Sequence, residues 1–499
     1  LAKLGGKGGL FMPMRTGKTK VIVDWAGIAY HNLGLRRVLI VAPIVALDVW
    51  QSEIGKHSPV SYVVSQLRNS TVKNAEFMRE MVEAGQDDSF PGEGIHWVLV
   101  NYEMVWRPVV EHGPRGGERK VPLDEIIAHW KPDLVVADEA HKIKQYTSRQ
   151  SMALNRLGKA APMRLALTGT PITKWPLDAY GLFRFADSEV FEQTKWRCWK
   201  KDSGTGRIHE HDETCEGFAD HYATWVPSRH APDLYEVSHY RNMPELTERI
   251  RAHSYAITLA DAFPDLPERM PPQDIKVTLS PKARRIYDEM AKELIVEFEH
   301  LSGTKTALAT NVLTKLVRLS QITSGFIKDE LGVEVDIDDS KLRACMELIE
   351  NIVEQDEKVV LFCRFVHDYH RLSEALATRK LDHAMLTGET KPKDRTANIA
   401  RFQTSPSVPV FIAQMQSGSL GIDLSAARLS IFYSLGYNWA EYIQACERTL
   451  NPRLHRPLGI YRLLATRTID IIQRRVMDER SEMAEAIIHN PRSLLDATD

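Results

Sequence analysis

The segment MPMRTGKTK, residues 12–20, places a glycine, a lysine and a threonine in a row between a short apolar run and an amphipathic one. A phosphate loop requires that setting. Backbone N–H groups at Arg15, Thr16 and Gly17 would face phosphate oxygens, Lys18 would reach the β- and γ-phosphates, and the Thr19 hydroxyl would ligate Mg2+. The full pattern G-x-x-x-x-G-K-[ST] is not met, because Met12 stands where the first glycine belongs. A second group, DLVVADEAH at residues 133–141, sets Asp138 and Glu139 at the end of an apolar run, where a doubly wound sheet presents its ligand. Asp138 would hold Mg2+, through water, and Glu139 would orient and deprotonate an attacking water. Either segment alone admits a bland reading, a chance GKT or an acidic loop after a buried strand. In this order they point to ATP hydrolysis by in-line attack, with ATP and Mg2+ as cofactors.

Elements able to position these groups can be read from periodicity. Strands are expected at Gly9–Met12, Arg37–Ala42, Trp97–Asn101, Leu134–Ala137 and Arg164–Leu167, with helices at Thr19–Asn32 and Ala46–Lys56. Short runs of Val, Ile and Leu alternating with helices predict a parallel sheet covered on both faces. The same grammar returns after Lys341. Strands are expected there at Lys358–Cys363, His383–Leu386, Val410–Ala413, Leu429–Ser434 and Gly459–Ala465. The matching helices are Leu342–Gln355, Val366–Thr378, Lys393–Gln403, Trp439–Thr449 and Ile469–Ile488. The chain is thus expected to be α/β, with lobe 1 at 1–186, a helical insertion and linker at 187–339 and lobe 2 at 340–499. Within the linker, Pro281–His300 and Thr306–Leu319 carry helical patterns, and the polar run LGVEVDIDDS before Lys341 reads as a hinge. An independent third domain is the alternative for the middle segment.

Composition narrows the setting without naming a partner. The 499 residues are 43% hydrophobic and 26% charged, with a formal net charge of −2, so nucleic-acid binding would need a local basic track. No apolar run approaches the ~18 residues that span a bilayer. Five scattered cysteines offer no disulfide framework, which fits a reducing, cytoplasmic setting.

At this point the motifs resemble those of superfamily-2 helicases. DEAH is followed by LALTGTP (Thr168, Gly169, Thr170, Pro171), similar to motif III. VLIVAPIVALDVWQSEI, with Pro43, Trp50 and Glu53, resembles motif Ia, and VLVNYEMV, with Asn101 and Tyr102, resembles motif Ib. KVVLFCRF resembles motif IV, SGSLGIDLSAA (Ser417 to Ala427) motif V, and QACERTLNPR stands at motif VI. LTGETKPKDRTANIARFQ, with Gly388, Arg395 and Phe402, is similar to the Swi/Snf group, as are ITLADAFPDLPER and IKVTLSPKARRIYDEM. The compact length looks more like bacterial or phage members than eukaryotic remodellers.

The resemblance implies two RecA-like lobes and a motor that hydrolyses ATP while moving along double-stranded DNA. It implies catalytic roles for Lys18, Glu139, Gln444 and Arg448. Thr168, Gly421 and Asp423 join Arg15 to Thr19 and Asp138 around the nucleotide. The phosphate track would use backbone amides near Pro43 and Tyr102, Thr170, and the hydroxyls of Ser417 and Ser419. Arg115, in the basic loop GPRGGERK, is a further candidate. The motor is expected to act as a monomer, recruited by an unidentified protein, in a bacterial cytoplasm or in the host cytoplasm if phage-encoded. A strand-separating helicase and a nucleotide-switched DNA clamp are the rival readings.

Three departures from the family pattern stand out. Arg15 occupies a position where many members have glycine. Only Leu1 to Met12 precede the phosphate loop, where an adenine-reading segment is expected, which suggests that the chain starts inside a longer protein. In motif VI, Arg448 fits the first of two expected arginines, but Asn451 stands at the second, which leaves Arg453 or no second cation. The insertion also holds KWRCWKK, basic and aromatic, read either as a duplex-gripping surface or as the core of a small subdomain. Cys198, His209, His211, Cys215 and His221 nearby could ligate zinc, but without any C-x-x-C pair no zinc is expected.

Overall fold

The protein is described from a computed structural model. It describes residues 1–478 apart from 14, 45, 85–92, 113–117, 170–175, 192–194, 197–198, 202–207, 212–216, 229–230, 265–269, 300–315, 329–331, 416–421, 437–438, 451–456 and 476. The chain separates into two compact units, Leu1–Ala262 and Phe263–Ser481.

The first unit is built on a parallel sheet of β1 (Lys7–Phe11), β2 (Arg37–Ala42), β3 (Tyr62–Gln66), β4 (Ile95–Asn101), β5 (Leu134–Asp138), β6 (Met163–Thr168) and β7 (Ser254–Ala256). Their lateral order is β7-β1-β6-β5-β2-β4-β3. Alternate residues leave on opposite faces, so Leu39, Val41, Val98 and Val100 enter one core, and Val38, Ile40, Trp97 and Leu99 the other. Burial on both faces is why these strands read as unbroken apolar runs. The helices α1 (Lys18–Leu33) and α2 (Ala46–His57) follow β1 and β2. α1 stops where Gly34 takes φ +69°, a left-handed turn that suits glycine.

The second unit repeats the plan with β8 (Gln273–Val277), β9 (Val359–Cys363), β10 (His383–Leu386), β11 (Val410–Gln414), β12 (Leu429–Phe432) and β13 (Gly459–Ala465). These run parallel in the order β8-β13-β12-β9-β11-β10. The helices Ser340–Val353, Val366–Thr378, Pro392–Thr404 and Trp439–Arg448 lie within two residues of the expected ends. Of the expected helix Ile469–Ile488, residues 469–475 and 477–478 are described and helical.

The segment 187–339 is divided between the units rather than packed as one piece. Phe191, Phe218, Tyr222, Leu246 and Ile250 join the first unit's core, and β7 adds a strand beside β1. This half includes antiparallel hairpins, Trp199–Lys201 with Ile208–His211 and Ala223–Ser228 with Ala231–Tyr240. The later half belongs to the second unit: β8 pairs with β13, and Ala283 and Tyr287 of the helix Pro281–Glu299 pack with Ile469. The run read as a hinge is corrected by its contacts. Glu334–Asp336 forms a hairpin with Phe326–Lys328, and His367 sits between Glu334 at 3.1 Å and Asp336 at 2.7 Å. Arg371 adds an ion pair to Asp336 at 3.0 Å, so charge pairing ties this stretch to the second unit.

Candidate nucleotide site

The three strands that lead into the chemical segments are neighbours in the sheet, in the order β1-β6-β5. At the end of β1, the Met12 amide donates to the Thr168 carbonyl at 3.2 Å, so the loop leaves the sheet beside the buried Thr168. The Thr16 hydroxyl donates to the Pro13 carbonyl at 2.7 Å. Lys18 folds its ammonium back onto the carbonyls of Met12 at 2.8 Å and Pro13 at 3.2 Å. Gly17 turns the chain into α1 with φ +88°, and nothing stands within 4 Å of where a Cβ would be. That open space lets a phosphate approach the backbone closely. Arg15 is held at φ +65°, a left-handed conformation that costs a non-glycine residue about 1–2 kcal/mol.

Two strands away, Asp138 closes β5. Its Oδ2 accepts from the Trp50 indole Nε1 at 2.8 Å, and its Oδ1 accepts from the Glu139 amide at 3.0 Å. The Asp138 carbonyl accepts from the Tyr102 hydroxyl at 2.7 Å. Burial and the adjacent Glu139 carboxylate push the Asp138 carboxyl up to about 6, against the lowering pull of Trp50 and Lys18. Glu139 is almost buried, lies 3.3 Å from His141 Nδ1, and takes φ +53° and ψ +50°, again left-handed.

These residues fit Mg2+. Two neighbouring carboxylates, one with its proton affinity raised by burial and by the other, form a pocket of negative charge that a cation relieves. The donors on offer, the Asp138 carboxylate and the Thr19 hydroxyl at the start of α1, are hard oxygens. Mg2+ takes few protein ligands and completes its shell with water and phosphate oxygens.

Trp50 and Tyr102 are the site's unforeseen members. Trp50 was noted only as part of the motif Ia resemblance and Tyr102 for the nucleic-acid track, yet Trp50 is 1% exposed and Tyr102 0% exposed, and each hydrogen-bonds to Asp138. A part for Tyr102 in a phosphate track would therefore fall to its backbone. Pro43 is buried at the turn into α2, where its carbonyl accepts from the Ala46 amide at 2.8 Å. The cue that could have found these partners is lateral: β2, which leads to Trp50, lies beside β5.

In the second unit, Arg448 and Gln444 are both buried on one face of Trp439–Arg448. The Arg448 carbonyl accepts from the Leu424 amide at 3.1 Å, and its guanidinium approaches the Ile422 carbonyl at 3.4 Å. The motif V turn is further fixed by Asp423, whose Oδ1 accepts from the Ser425 amide at 2.9 Å. Gln403 donates to the Asp423 carbonyl at 2.6 Å and accepts from the Ala426 amide at 3.0 Å. Arg115, Thr170, Ser417, Ser419, Gly421, Asn451 and Arg453 lie outside the described residues, as do Cys198 and Cys215. His221 is engaged with Glu245, 2.9 Å away. Trp196 packs in an aromatic group, its ring 5.1 Å from those of Tyr146 and Tyr180 and 5.7 Å from Phe218, which favours the subdomain-core reading.

The SNF2-related domain family matches residues 10–325, more than half of the chain, and the helicase conserved C-terminal domain matches 340–452. The chain belongs to the SNF2-related family. It joins an SNF2-related domain to a helicase conserved C-terminal domain. It is 26% identical over 473 residues to the uncharacterized ATP-dependent helicase MG018 of Mycoplasma genitalium, which covers 95% of this chain and 39% of that protein. Identity is 24% over 495 residues to the chromodomain-helicase-DNA-binding protein 1-like of Danio rerio, covering 97% and 42%. The chain thus spans about two fifths of the length of these relatives. Among solved structures it is similar to a Sulfolobus solfataricus SWI2/SNF2 ATPase core in complex with dsDNA, at 20% identity, 99% and 92% coverage and a TM-score of 0.37.

Proposed function

We propose that this SNF2-type core is a motor that hydrolyses ATP with Mg2+ and translocates on double-stranded DNA, remodelling protein–DNA or branched DNA structures. The observation that carries the chemistry is the row β1-β6-β5, which sets Lys18, Thr168, Asp138 and Glu139 at one end of one sheet. In the proposed cycle, Arg15 to Thr19 cradle the phosphates and Lys18 exchanges its loop carbonyls for phosphate oxygens. Glu139 takes the proton of the attacking water, with His141 beside it. Mg2+ held by Thr19, Asp138 and the nucleotide would neutralise charge on the β- and γ-phosphates. Gln444 and Arg448 keep the roles that the resemblance gives them, Arg448 as the cation that meets the γ-phosphate. Arg453→Ala tests the missing second arginine: turnover falling nearly as far as in Arg448→Ala makes Arg453 the substitute.

Pro43, Tyr102, Arg115, Thr170, Ser417 and Ser419 are proposed to follow the DNA backbone, with phosphates rather than bases as ligands. The functional division into lobe 1 (1–186), linker (187–339) and lobe 2 (340–499) belongs to the same proposal, as do a monomeric state, a recruiting protein and a cytoplasmic location. Among the described residues no helix is long and apolar enough to cross a membrane.

Duplex DNA is expected to stimulate ATPase more than single strands of equal length, and the stimulation to fall steeply with salt. Displacement of a triplex-forming strand without separation of the duplex is the result expected of a translocase. Equal stimulation by single strands, together with duplex unwinding, favours the strand-separating helicase instead.

A further inference from the structure

Asp138 is held from two directions by side chains that belong to other strands' ends. Trp50 lies on α2, which starts directly after the Pro43 turn, and its indole N–H grips the carboxylate at 2.8 Å. Tyr102 opens the one-turn helix Tyr102–Val105, whose start is capped by the Asn101 side chain accepting from the Met104 amide at 2.7 Å. Its hydroxyl grips the Asp138 carbonyl at 2.7 Å. Both donors sit on buried residues, where a lost hydrogen bond leaves a group stranded at a cost of about 1–3 kcal/mol. The two turns therefore cannot shift far without carrying Asp138 with them or breaking a buried contact.

Resting on the proposed function, we infer that Trp50 and Tyr102 are positioning residues that transmit DNA contact at the turns after β2 and β4 to the metal-holding Asp138. The link is short. β4, β2 and β5 are consecutive strands, and each residue reaches across one or two of them to the same aspartate. DNA seated on those turns sets where Asp138 stands, and so how tightly the divalent ion is held with the nucleotide. The reverse holds equally, since such coupling is reciprocal: metal-bound nucleotide favours the turn geometry that grips DNA.

The test reads binding rather than turnover. Mn2+ is titrated by electron paramagnetic resonance into the Glu139→Gln protein with saturating ATP, with and without duplex DNA. In this parent the duplex is expected to tighten Mn2+ about 5-fold or more. Adding Trp50→Phe, which keeps a ring but removes the N–H donor, should weaken Mn2+ about 10-fold and erase most of the duplex effect. Adding Tyr102→Phe, which removes only a hydroxyl, should reduce the duplex effect and leave Mn2+ affinity without DNA close to the parent's. ATP affinity measured in chelator is expected to be unchanged in both. Parent-like Mn2+ affinity and duplex effect in Trp50→Phe would overturn the inference, as would an equal loss of metal-free ATP affinity. If the Glu139→Gln parent itself hydrolyses ATP normally, the reading of the site fails. If the parent is inert and binds Mn2+ while Trp50→Phe behaves like it, only this inference fails.

Discussion

Each unit carries an aspartate at or just past the end of a central strand, and burial pushes both carboxyls up to about 6. Asp138 ends β5 and Asp368 lies in the first turn of Val366–Thr378 after β9. Their partners differ. Asp138 stands beside a second carboxylate, is held by one indole, and shares its end of the sheet with Lys18. Asp368 is 1% exposed and spends one oxygen, Oδ2, on Ser434 at 2.8 Å, Ser324 at 3.4 Å and the Phe365 amide at 3.4 Å. Ser434 in turn accepts from the Arg364 amide at 2.8 Å, and the Ser324 carbonyl accepts from Tyr433 at 3.0 Å and Arg371 at 3.2 Å. The surroundings of the first aspartate suit the cation proposed for it. The second staples two strand ends to the linker. A raised proton affinity marks both, so it does not separate chemistry from architecture; the identity of the neighbours does.

The largest effects expected from this contrast fall on turnover. Lys18→Ala removes the charge proposed to meet the β/γ-phosphates, and Glu139→Gln removes the proposed base. Each should lower DNA-stimulated hydrolysis at least ~10²-fold, with ATP still bound in Glu139→Gln. Asp138→Asn belongs with them. Asp368→Asn, at a carboxyl with a similar shift and less exposure, should leave turnover within a few-fold of the wild type. Steady-state ATPase of the four variants decides, and an inactive Asp368→Asn with intact folding would erase the distinction between the two aspartates.

Asp368 is expected to show itself in stability instead. Its carboxyl binds a proton more tightly in the folded chain, at about 6, than in the unfolded chain, at about 3.9. The folded state thus holds more protons across that window, and the contribution to stability is present at low pH and lost as pH rises through it. The loss is about 2–3 kcal/mol at most for a shift of this size. Asp368→Asn removes the titration while leaving an oxygen to accept from Ser434. Relative to the wild type, the variant should gain unfolding midpoint as pH rises from about 4 to about 6.5. A difference that stays flat over that range would mean that Asp368 carries no such penalty.

The contrast also explains what could be read in the sequence. β2 was legible to the residue because an apolar run buried on both faces has sharp ends at Arg37 and Ala42. The edge strands β3, β7 and β8 were not, since they are short or half-exposed and mix polar with apolar residues. Lys18 and the Asp138–Glu139 pair stand out as local patterns, the first after β1 and the second at the end of β5. Trp50's grip on Asp138 depends on β2 lying beside β5, a lateral order that no local pattern encodes. The same holds for Asp368, which meets Ser434 only because β9 lies beside β12. The polar hinge was misread because its carboxylates suggested solvent, whereas Glu334 and Asp336 meet His367 and Asp336 also meets Arg371.

The smallest expected effect separates the units by backbone rather than charge. Among the described residues of the second unit, the non-glycine residues with positive φ are Asp356, Lys380 and Arg467, in turns just past helices or a strand. Among those of the first unit, Lys131 and Asn242 likewise lie at helix ends, but Arg15 and Glu139 sit at the candidate nucleotide site. Left-handed backbone costs a side-chain-bearing residue about 1–2 kcal/mol, and such strain persists where surrounding structure or function maintains it. Arg15→Gly relieves that cost but adds freedom to the unfolded chain, worth about 0.4–1 kcal/mol in the other direction. The net change should be a gain of about 1 kcal/mol or less, read as a rise of a few degrees at most in unfolding midpoint. Nucleotide affinity should move oppositely, because the guanidinium is lost from the loop proposed to cradle the phosphates. Lys380→Gly offers the comparison: the same backbone relief in an exposed turn, with no change in nucleotide binding. A more stable Arg15→Gly with weaker ATP binding would show strain kept for function. Unchanged ATP affinity would make Arg15 another strained turn like Lys380.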